Sequence, residues 1–197
     1  MFLKKSKTQP RNLLITASFV RSLLAVNTTR HLNTLSTDLL KKNEVVKTLI
    51  RLAGIIFESF VDGPGVRTVI FVQGCPHNCP GCHNPQTHDP EGGYSTNTED
   101  IICKLGCNPL ISGITLSGGE PFLQPDACAE IARAARRKGL DIWCYSGWTH
   151  EQLLEKPEAK VLLDEIDTLV DGRYMQELRT LDIPFIGSSN QRIIKIR

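Results

Sequence analysis

The chain has 197 residues, of which 41% are hydrophobic, and a formal net charge of +2 at pH 7. This length is enough for one domain with a buried core. No apolar run reaches the roughly 20 residues needed to cross a bilayer, so we expect no membrane partner.

Charge is distributed unevenly along the chain. Residues 1–51 contain ten Lys and Arg against two Asp and Glu, whereas residues 52–197 contain thirteen against nineteen. The acidic second part disfavours a nucleic-acid partner. We interpret residues 1–50 as a basic N-terminal extension that is unstructured or weakly helical, or that precedes a true translation start near Val45 or Val46. A targeting peptide is a third, less favoured explanation.

The cysteines indicate metal binding in a reducing compartment. There are seven, an odd number, and three of them are clustered between positions 75 and 82. A secreted disulfide framework has evenly paired cysteines instead. We therefore predict a cytoplasmic protein.

The first chemically distinctive stretch directly follows a strand signal. Residues 68–72 are apolar and β-branched, which predicts a buried strand. Residues 73–85 then hold Cys75, Cys79 and Cys82 in the spacing C-x3-C-x2-C, among Gly and Pro residues that favour a loop. Three thiolates at the end of a strand can hold a thiophilic metal centre. On a four-iron cluster they would leave one iron without a protein ligand.

Two alternatives for this cysteine loop stay open. A structural Cys3His zinc site would take its fourth ligand from His77, His83 or His88. Thiol redox chemistry would use residues 79–82 as a C-x-x-C motif, but it would leave Cys75 without a role.

The rest of the chain alternates strand and helix signals. The pattern predicts a loop over 88–97, a helix over 99–106, a strand over 113–116, a helix over 125–138, a strand over 140–145, short helices over 150–155 and 158–164, and strands over 168–170, 183–186 and 192–196. This alternation favours an α/β fold with a parallel sheet and outer helices. The globular part is shorter than the roughly 250 residues of a closed eight-stranded barrel, so we predict a partial (open) β/α barrel with parallel strands.

A second loop of interest follows the predicted strand 113–116. Residues 117–121 read S-G-G-E-P. Gly118 and Gly119 have no side chains, so their backbone can approach a ligand closely. Glu120 offers a carboxylate to a cationic group such as an ammonium. Active sites of parallel α/β folds lie at the carboxyl ends of strands, where both loops are expected.

The cysteine loop and the S-G-G-E-P loop together resemble the radical S-adenosylmethionine superfamily. In that family three cysteines hold a [4Fe–4S] cluster, and the methionine moiety of the cofactor chelates the open iron. The resemblance implies that Cys75, Cys79 and Cys82 are the cluster ligands at the catalytic centre. It also implies reductive cleavage of S-adenosylmethionine to a 5′-deoxyadenosyl radical, which abstracts hydrogen.

Further motifs resemble one branch of that superfamily. Residues 62–67, D-G-P-G-V-R, are similar to the activases of glycyl-radical enzymes. Residues 79–84, 171–174 and 187–192 resemble the activating proteins of anaerobic (class III) ribonucleoside-triphosphate reductases. The resemblance covers residues 51–197, which we interpret as a radical SAM domain. It implies a glycyl radical installed on the large reductase subunit, with a flavodoxin- or ferredoxin-type electron donor; another glycyl-radical partner, such as pyruvate formate-lyase, is the alternative.

The same resemblance implies contacts to the cofactor. The expected cofactor-binding residues are Gly81, Cys82, His83, Gly118, Gly119, Glu120, Ser146 and Asp171. Members of the superfamily often have an aromatic residue before the third cysteine, where this chain has Gly81, and His83 is a candidate for that place. Ser146 and Asp171 end predicted strands and face the cofactor's carboxylate or ribose, unless they serve only as turn residues. Arg173 meets the carboxylate or the partner protein, or is an ordinary surface cation.

The remaining cysteines carry no ligand pattern. We interpret Cys103, Cys107, Cys128 and Cys144 as ordinary small buried residues. The aromatic residues Trp143, Tyr145 and Trp148 are expected in the core or at the rim of the site.

Overall fold

The computed structural model describes residues 48–197. The predictions for the N-terminal extension therefore fall almost wholly outside the described residues. The strands are β1 (Leu49–Ser59), β2 (Val66–Val72), β3 (Tyr94–Asn97), β4 (Ile111–Gly118), β5 (Asp141–Tyr145), β6 (Thr168–Asp171) and β7 (Arg192–Lys195). The α-helices are α1 (Thr98–Ile102), α2 (Pro125–Arg137), α3 (His150–Leu154) and α4 (Lys160–Leu163). Within this part of the chain, no helix combines the length and apolar character required to cross a bilayer.

The strands form one seven-stranded sheet in the order β3-β1-β2-β4-β5-β6-β7. Strands β2, β4, β5 and β6 are mutually parallel, which confirms the α/β class. The prediction of parallel strands is wrong for β7, the predicted strand 192–196, which pairs antiparallel to β6. Strands β1 and β3, which the sequence pattern does not predict, also pair antiparallel to their neighbours. A short connection such as residues 60–65 joins antiparallel strands readily, whereas parallel strands need a long crossover.

Three secondary-structure predictions are wrong at particular segments. Residues 94–97, predicted as loop, form β3 because they pair with β1, with Leu49 opposite Asn97. Helix α1 ends at Ile102, and residues 103–106 form turns. Residues 183–186 form no strand, because Pro184 donates no ladder hydrogen bond and Phe185 has φ of 66°.

Helix α2 lies against one face of the sheet. It begins with Pro125 and Asp126, which suit the first turn of a helix, and it is followed by Gly139 with φ of 78°. The core between helices and sheet contains Ile70, Leu116, Ile142, Leu169, Ala129, Ile131, Ala132 and Ala135, all 0% exposed. Successive side chains of a strand point to opposite faces, so the residues between these core positions face the other side of the sheet.

That second face carries a fully buried arginine, Arg67. Its guanidinium donates from Nε to Thr115 Oγ1 at 2.8 Å, from Nη2 to the Ile114 carbonyl at 2.6 Å and from Nη1 to Asp141 Oδ1 at 2.9 Å. It also lies 5.8 Å from the ring centroid of Trp143. Arg67 therefore holds β2, β4 and β5 together beneath the site described next.

Candidate active site

The loops after the parallel strands line a cavity of about 510 Å³. The register places the ends of the strands side by side, with Val72 of β2 opposite Gly118 of β4. The segment after every parallel strand contributes to the lining, which includes Cys75, Cys79, Cys82, His83, Ser117, Gly118, Gly119, Ser146, Gly147, Gly172 and Tyr174. The sequence-based expectation that strand-end loops meet at one site is confirmed.

The cysteine loop leaves β2 and turns back on itself. The Gly74 amide donates to the Thr87 carbonyl at 2.8 Å, and the Cys75 amide donates to the His88 carbonyl at 3.1 Å. Within the loop that these two bonds close, the chain turns at Asn78 and Gly81, which have φ of 45° and 71°. The local result is a compact loop whose three thiols are partly exposed.

The surroundings of Cys75 raise the pKa of its thiol. Burial raises the pKa of Cys75 and outweighs the backbone amide of His77, which lowers it. The nearby Glu120, Cys79 and Cys82 raise it further. A thiolate cluster here therefore needs the positive charge of bound metal to replace the thiol protons.

The three cysteines that line the cavity are a donor set that fits a [4Fe–4S] cluster, on which each cysteine binds a different iron. Within residues 48–197, no group of three or more His, Cys, Asp or Glu side chains is arranged to hold a single metal ion. The cavity wall also includes His88, whose buried Nε2 atom has no hydrogen-bond partner in the described part of the chain.

The two glycines of the S-G-G-E-P loop bring it against the cysteine loop. A Cβ atom on Gly118 would lie 2.6 Å from the Val72 amide nitrogen, and one on Gly119 would overlap the Gly74 carbonyl. The Glu120 amide donates to that same carbonyl at 2.8 Å. The absence of side chains therefore serves contact between the two loops, and both glycines also line the cavity.

Glu120 lies behind the cavity wall. Its side chain is 0% exposed, and Oε2 accepts from His77 Nε2 and from the Gly147 amide, each at 2.9 Å. Oε1 accepts from the Phe122 amide at 3.1 Å, and Ser146 Oγ lies 3.1 Å from both oxygens. The cofactor contact of Glu120 stays a prediction, because donors of the chain occupy both oxygens.

Ser146 and Asp171 differ in their relation to the cavity. Ser146 lines it and donates to Glu120. Asp171 is buried outside the lining, where it accepts from the His150 amide at 2.7 Å and from Arg192 Nε at 3.0 Å. Arg173 is exposed and donates to the carbonyl of His77. The cofactor roles of these three residues stay predictions.

Gly81 and His83 occupy different places around the third cysteine. The side chain of Gln176 covers Gly81, where an added Cβ would lie 2.9 Å from the amide carbon of Gln176. His83 lines the cavity, and its ring centroid lies 4.9 Å from that of Tyr174. Tyr174 is not among the site residues predicted from the sequence, although it lies in the motif 171–174.

The aromatic residues expected in the core or at the rim are found there. Tyr145 lines the cavity, and its hydroxyl donates to the Phe185 carbonyl at 2.9 Å. Trp143 is buried and packs edge-on against Phe185, with ring centroids 5.5 Å apart. Trp148 is half-buried and packs against His77.

The other four cysteines divide into two pairs. Cys128 and Cys144 are buried as predicted, whereas Cys103 and Cys107 are exposed, so the prediction is wrong for that second pair. Helix α1 ends before Cys103, and the turns that follow place both thiols on the surface.

Thiol labelling of the cluster-free protein checks this division. Cys128 and Cys144 are buried, so the reagent reaches them poorly. Burial also raises the pKa of both thiols, which lowers the fraction present as reactive thiolate. We expect maleimide at pH 8 to modify Cys103 and Cys107 first, as measured by peptide mass spectrometry over time. Equally rapid labelling of Cys128 or Cys144 would contradict the described packing.

Comparison with known proteins identifies the family. Residues 61–194 match the model described as a 4Fe-4S single cluster domain. The chain is 37% identical over 145 residues to the anaerobic ribonucleoside-triphosphate reductase-activating protein of Salmonella typhimurium. The aligned residues cover 70% of this chain and 93% of that protein. The chain is 36% identical over 141 residues to the protein of the same name from Enterobacteria phage T4, covering 68% and 86% respectively.

A second type of activating enzyme is also similar. The pyruvate formate-lyase-activating enzyme of Clostridium pasteurianum is 37% identical over 123 residues, which cover 58% of this chain and 51% of that enzyme. The family predicted from the motifs is confirmed by the longer matches. The chain belongs to the 4Fe-4S single cluster domain family and to the family of anaerobic ribonucleoside-triphosphate reductase-activating proteins.

Proposed function

We propose that this chain activates an anaerobic ribonucleoside-triphosphate reductase by generating a glycyl radical on its large subunit. The observation that carries the proposal is the shared cavity of the three cysteines and the Gly118–Gly119 backbone. The named relatives that align along most of their own length support the choice of partner.

Each part of the cavity has a role in the proposal. Cys75, Cys79 and Cys82 would hold the cluster. When bound, a [4Fe–4S] cluster supplies the electron that cleaves S-adenosylmethionine to methionine and a 5′-deoxyadenosyl radical, which abstracts a hydrogen atom from the partner glycine. The enclosing loops limit access of water to the site and leave its open side to the partner.

The cofactor site comprises residues that line the cavity and residues behind it. His83, Gly118, Gly119 and Ser146 line it, and Gly81 shapes the loop beside them. Glu120 and Asp171 are buried behind this wall, where they hold neighbouring loops in place.

The proposal also covers the type of fold. Four parallel strands with helices on one face and the cavity on the other suit a partial β/α barrel of the radical SAM type. The free thiols suit a reducing, cytoplasmic compartment, with a flavodoxin- or ferredoxin-type protein as electron donor.

A second candidate partner follows from the matched pyruvate formate-lyase-activating enzyme. In that case the same chemistry would act on a different glycyl-radical enzyme. The shorter match, about half of that enzyme's length, favours the reductase as partner.

Anaerobic reconstitution tests the function. We expect about four irons and four sulfides per chain, as for three-cysteine ligation of a cubane cluster. After reduction with dithionite, the protein should form methionine and 5′-deoxyadenosine, and a glycyl-radical EPR signal should appear on the large reductase subunit. Stoichiometric zinc without sulfide, or no cleavage of S-adenosylmethionine, would refute the proposal, and a signal only on pyruvate formate-lyase would favour the second candidate.

A further inference from the structure

We propose that His77 is a positioning residue, which fixes the cysteine loop against the loops after β4 and β5 through its hydrogen bond to Glu120. The inference rests on the proposed function, because the position of the cysteine loop would set where a bound cluster lies relative to the Gly118–Gly119 loop. It assigns Glu120 an indirect role, through His77, in place of a direct contact with the cofactor.

Most of the His77 side chain is shielded from solvent, although it lies in a partly exposed loop. Its side chain is 9% exposed. The ring packs edge-on against Trp148, with centroids 4.7 Å apart, and a Cβ atom on Gly147 would overlap it. The imidazole ring of His77 therefore packs closely against the loop after β5.

The hydrogen bond to Glu120 has a defined direction. A carboxylate only accepts, so His77 Nε2 must donate across the 2.9 Å separation. The other donors to Glu120 are the amides of Phe122 and Gly147 and the hydroxyl of Ser146. With these partners and no exposed surface, the carboxylate presents no free oxygen to the cavity.

Two side-chain hydrogen bonds, both involving His77, connect the middle of the cysteine loop to neighbouring loops. The loop ends are held by main-chain bonds of Gly74 and Cys75. For residues 76–81, no main-chain amide donates to another main-chain carbonyl in the described structure. The His77 side chain to Glu120 and the Arg173 side chain to the His77 carbonyl link this part to the loops after β4 and β6.

Two amide substitutions separate positioning from mere polarity. In His77→Gln the side-chain nitrogen reaches about as far as Nε2 of histidine, whereas in His77→Asn it is one carbon shorter. We expect His77→Gln to keep the dissociation constant for S-adenosylmethionine within about twofold of wild type. We expect His77→Asn to raise it roughly tenfold, the range for loss of a hydrogen bond to a charged group.

Spectroscopy gives a readout that does not depend on activity. Adding S-adenosylmethionine to the reduced wild-type cluster should change its EPR spectrum, and His77→Asn should diminish this change while His77→Gln preserves it. Equal binding and equal spectra for the two variants would overturn the proposal. Failure of the wild-type protein to assemble a cluster would instead overturn the proposed function, so the two failures are distinguishable.

A double-mutant cycle tests whether Glu120 acts through His77. Glu120→Gln would turn an amide NH₂ towards groups that all donate, so we expect it to weaken binding about as much as His77→Asn. The double variant His77→Asn/Glu120→Gln should then bind S-adenosylmethionine no more weakly than either single variant. Effects that multiply would show that Glu120 contacts the cofactor independently. Glu155→Gln, at an exposed position directly after helix α3, serves as the matched control.

Discussion

Replacing Cys79 with alanine is expected to abolish iron binding and cleavage of S-adenosylmethionine together. Cys75, Cys79 and Cys82 are the cysteines that line the cavity, and the other described cysteines are either buried or on the surface. Among the described residues, no further cysteine therefore lies in the cavity to replace a lost ligand. Because the loop is closed by main-chain bonds of Gly74 and Cys75, the substitution should leave the fold intact.

The measurement is iron and sulfide content after anaerobic reconstitution, followed by assay of 5′-deoxyadenosine. We expect iron to fall from about four per chain to a small fraction of that value. Cys103→Ala is the matched control, since it removes an exposed thiol outside the cavity and should change neither quantity. A Cys79→Ala protein that retained a full cluster would rule out the assigned ligand set.

Replacing Arg67 with alanine is expected to lower the free energy of unfolding by about 3 kcal/mol. Arg67 is fully buried, and its removal takes one hydrogen-bond donor from the Ile114 carbonyl and one from the Thr115 hydroxyl in the interior. The side chain of its ion-pair partner Asp141 is 44% exposed, so water compensates part of that loss. We place the effect at the lower end of the range for breaking a buried ion pair for this reason.

Thermal unfolding of the cluster-free full chain under reducing conditions measures this effect. A loss of this size corresponds to a decrease in Tm of roughly 10 °C for a domain of this length. Lys160→Ala is the control, because Lys160 pairs with Asp164 at 2.9 Å on the surface and such pairs contribute less than about 1 kcal/mol. Similar Tm values for the two variants would contradict the structural role of Arg67.

Elements with strong local signals were predicted well from the sequence. The expected helix 125–138 corresponds to Pro125–Arg137, because its apolar periodicity, first-turn Pro and Asp, and following glycine all act within a few residues. The strand cores 68–72 and 113–116 lie inside β2 and β4 for the same reason.

Elements that depend on a distant partner were predicted poorly. Residues 94–97 are polar and form a strand only because the edge of β1 offers hydrogen bonds. Residues 183–186 contain two isoleucines and a phenylalanine, but they do not join the sheet: Phe185 and Ile186 line the cavity, and Ile183 is exposed. Composition alone does not distinguish these two outcomes, because strand pairing depends on what lies alongside.

The sequence by itself determined the ligand chemistry of this protein and the family to which it belongs. Three cysteines in one loop and two glycines in another are local features whose spacing is visible in the printed chain. Only the tertiary structure decided which groups meet: His77 with Glu120, 43 positions apart, and Arg67 with Asp141, 74 positions apart. The physical reason is the register of the sheet, which aligns the ends of β2, β4 and β5 and so brings distant loops within hydrogen-bonding distance.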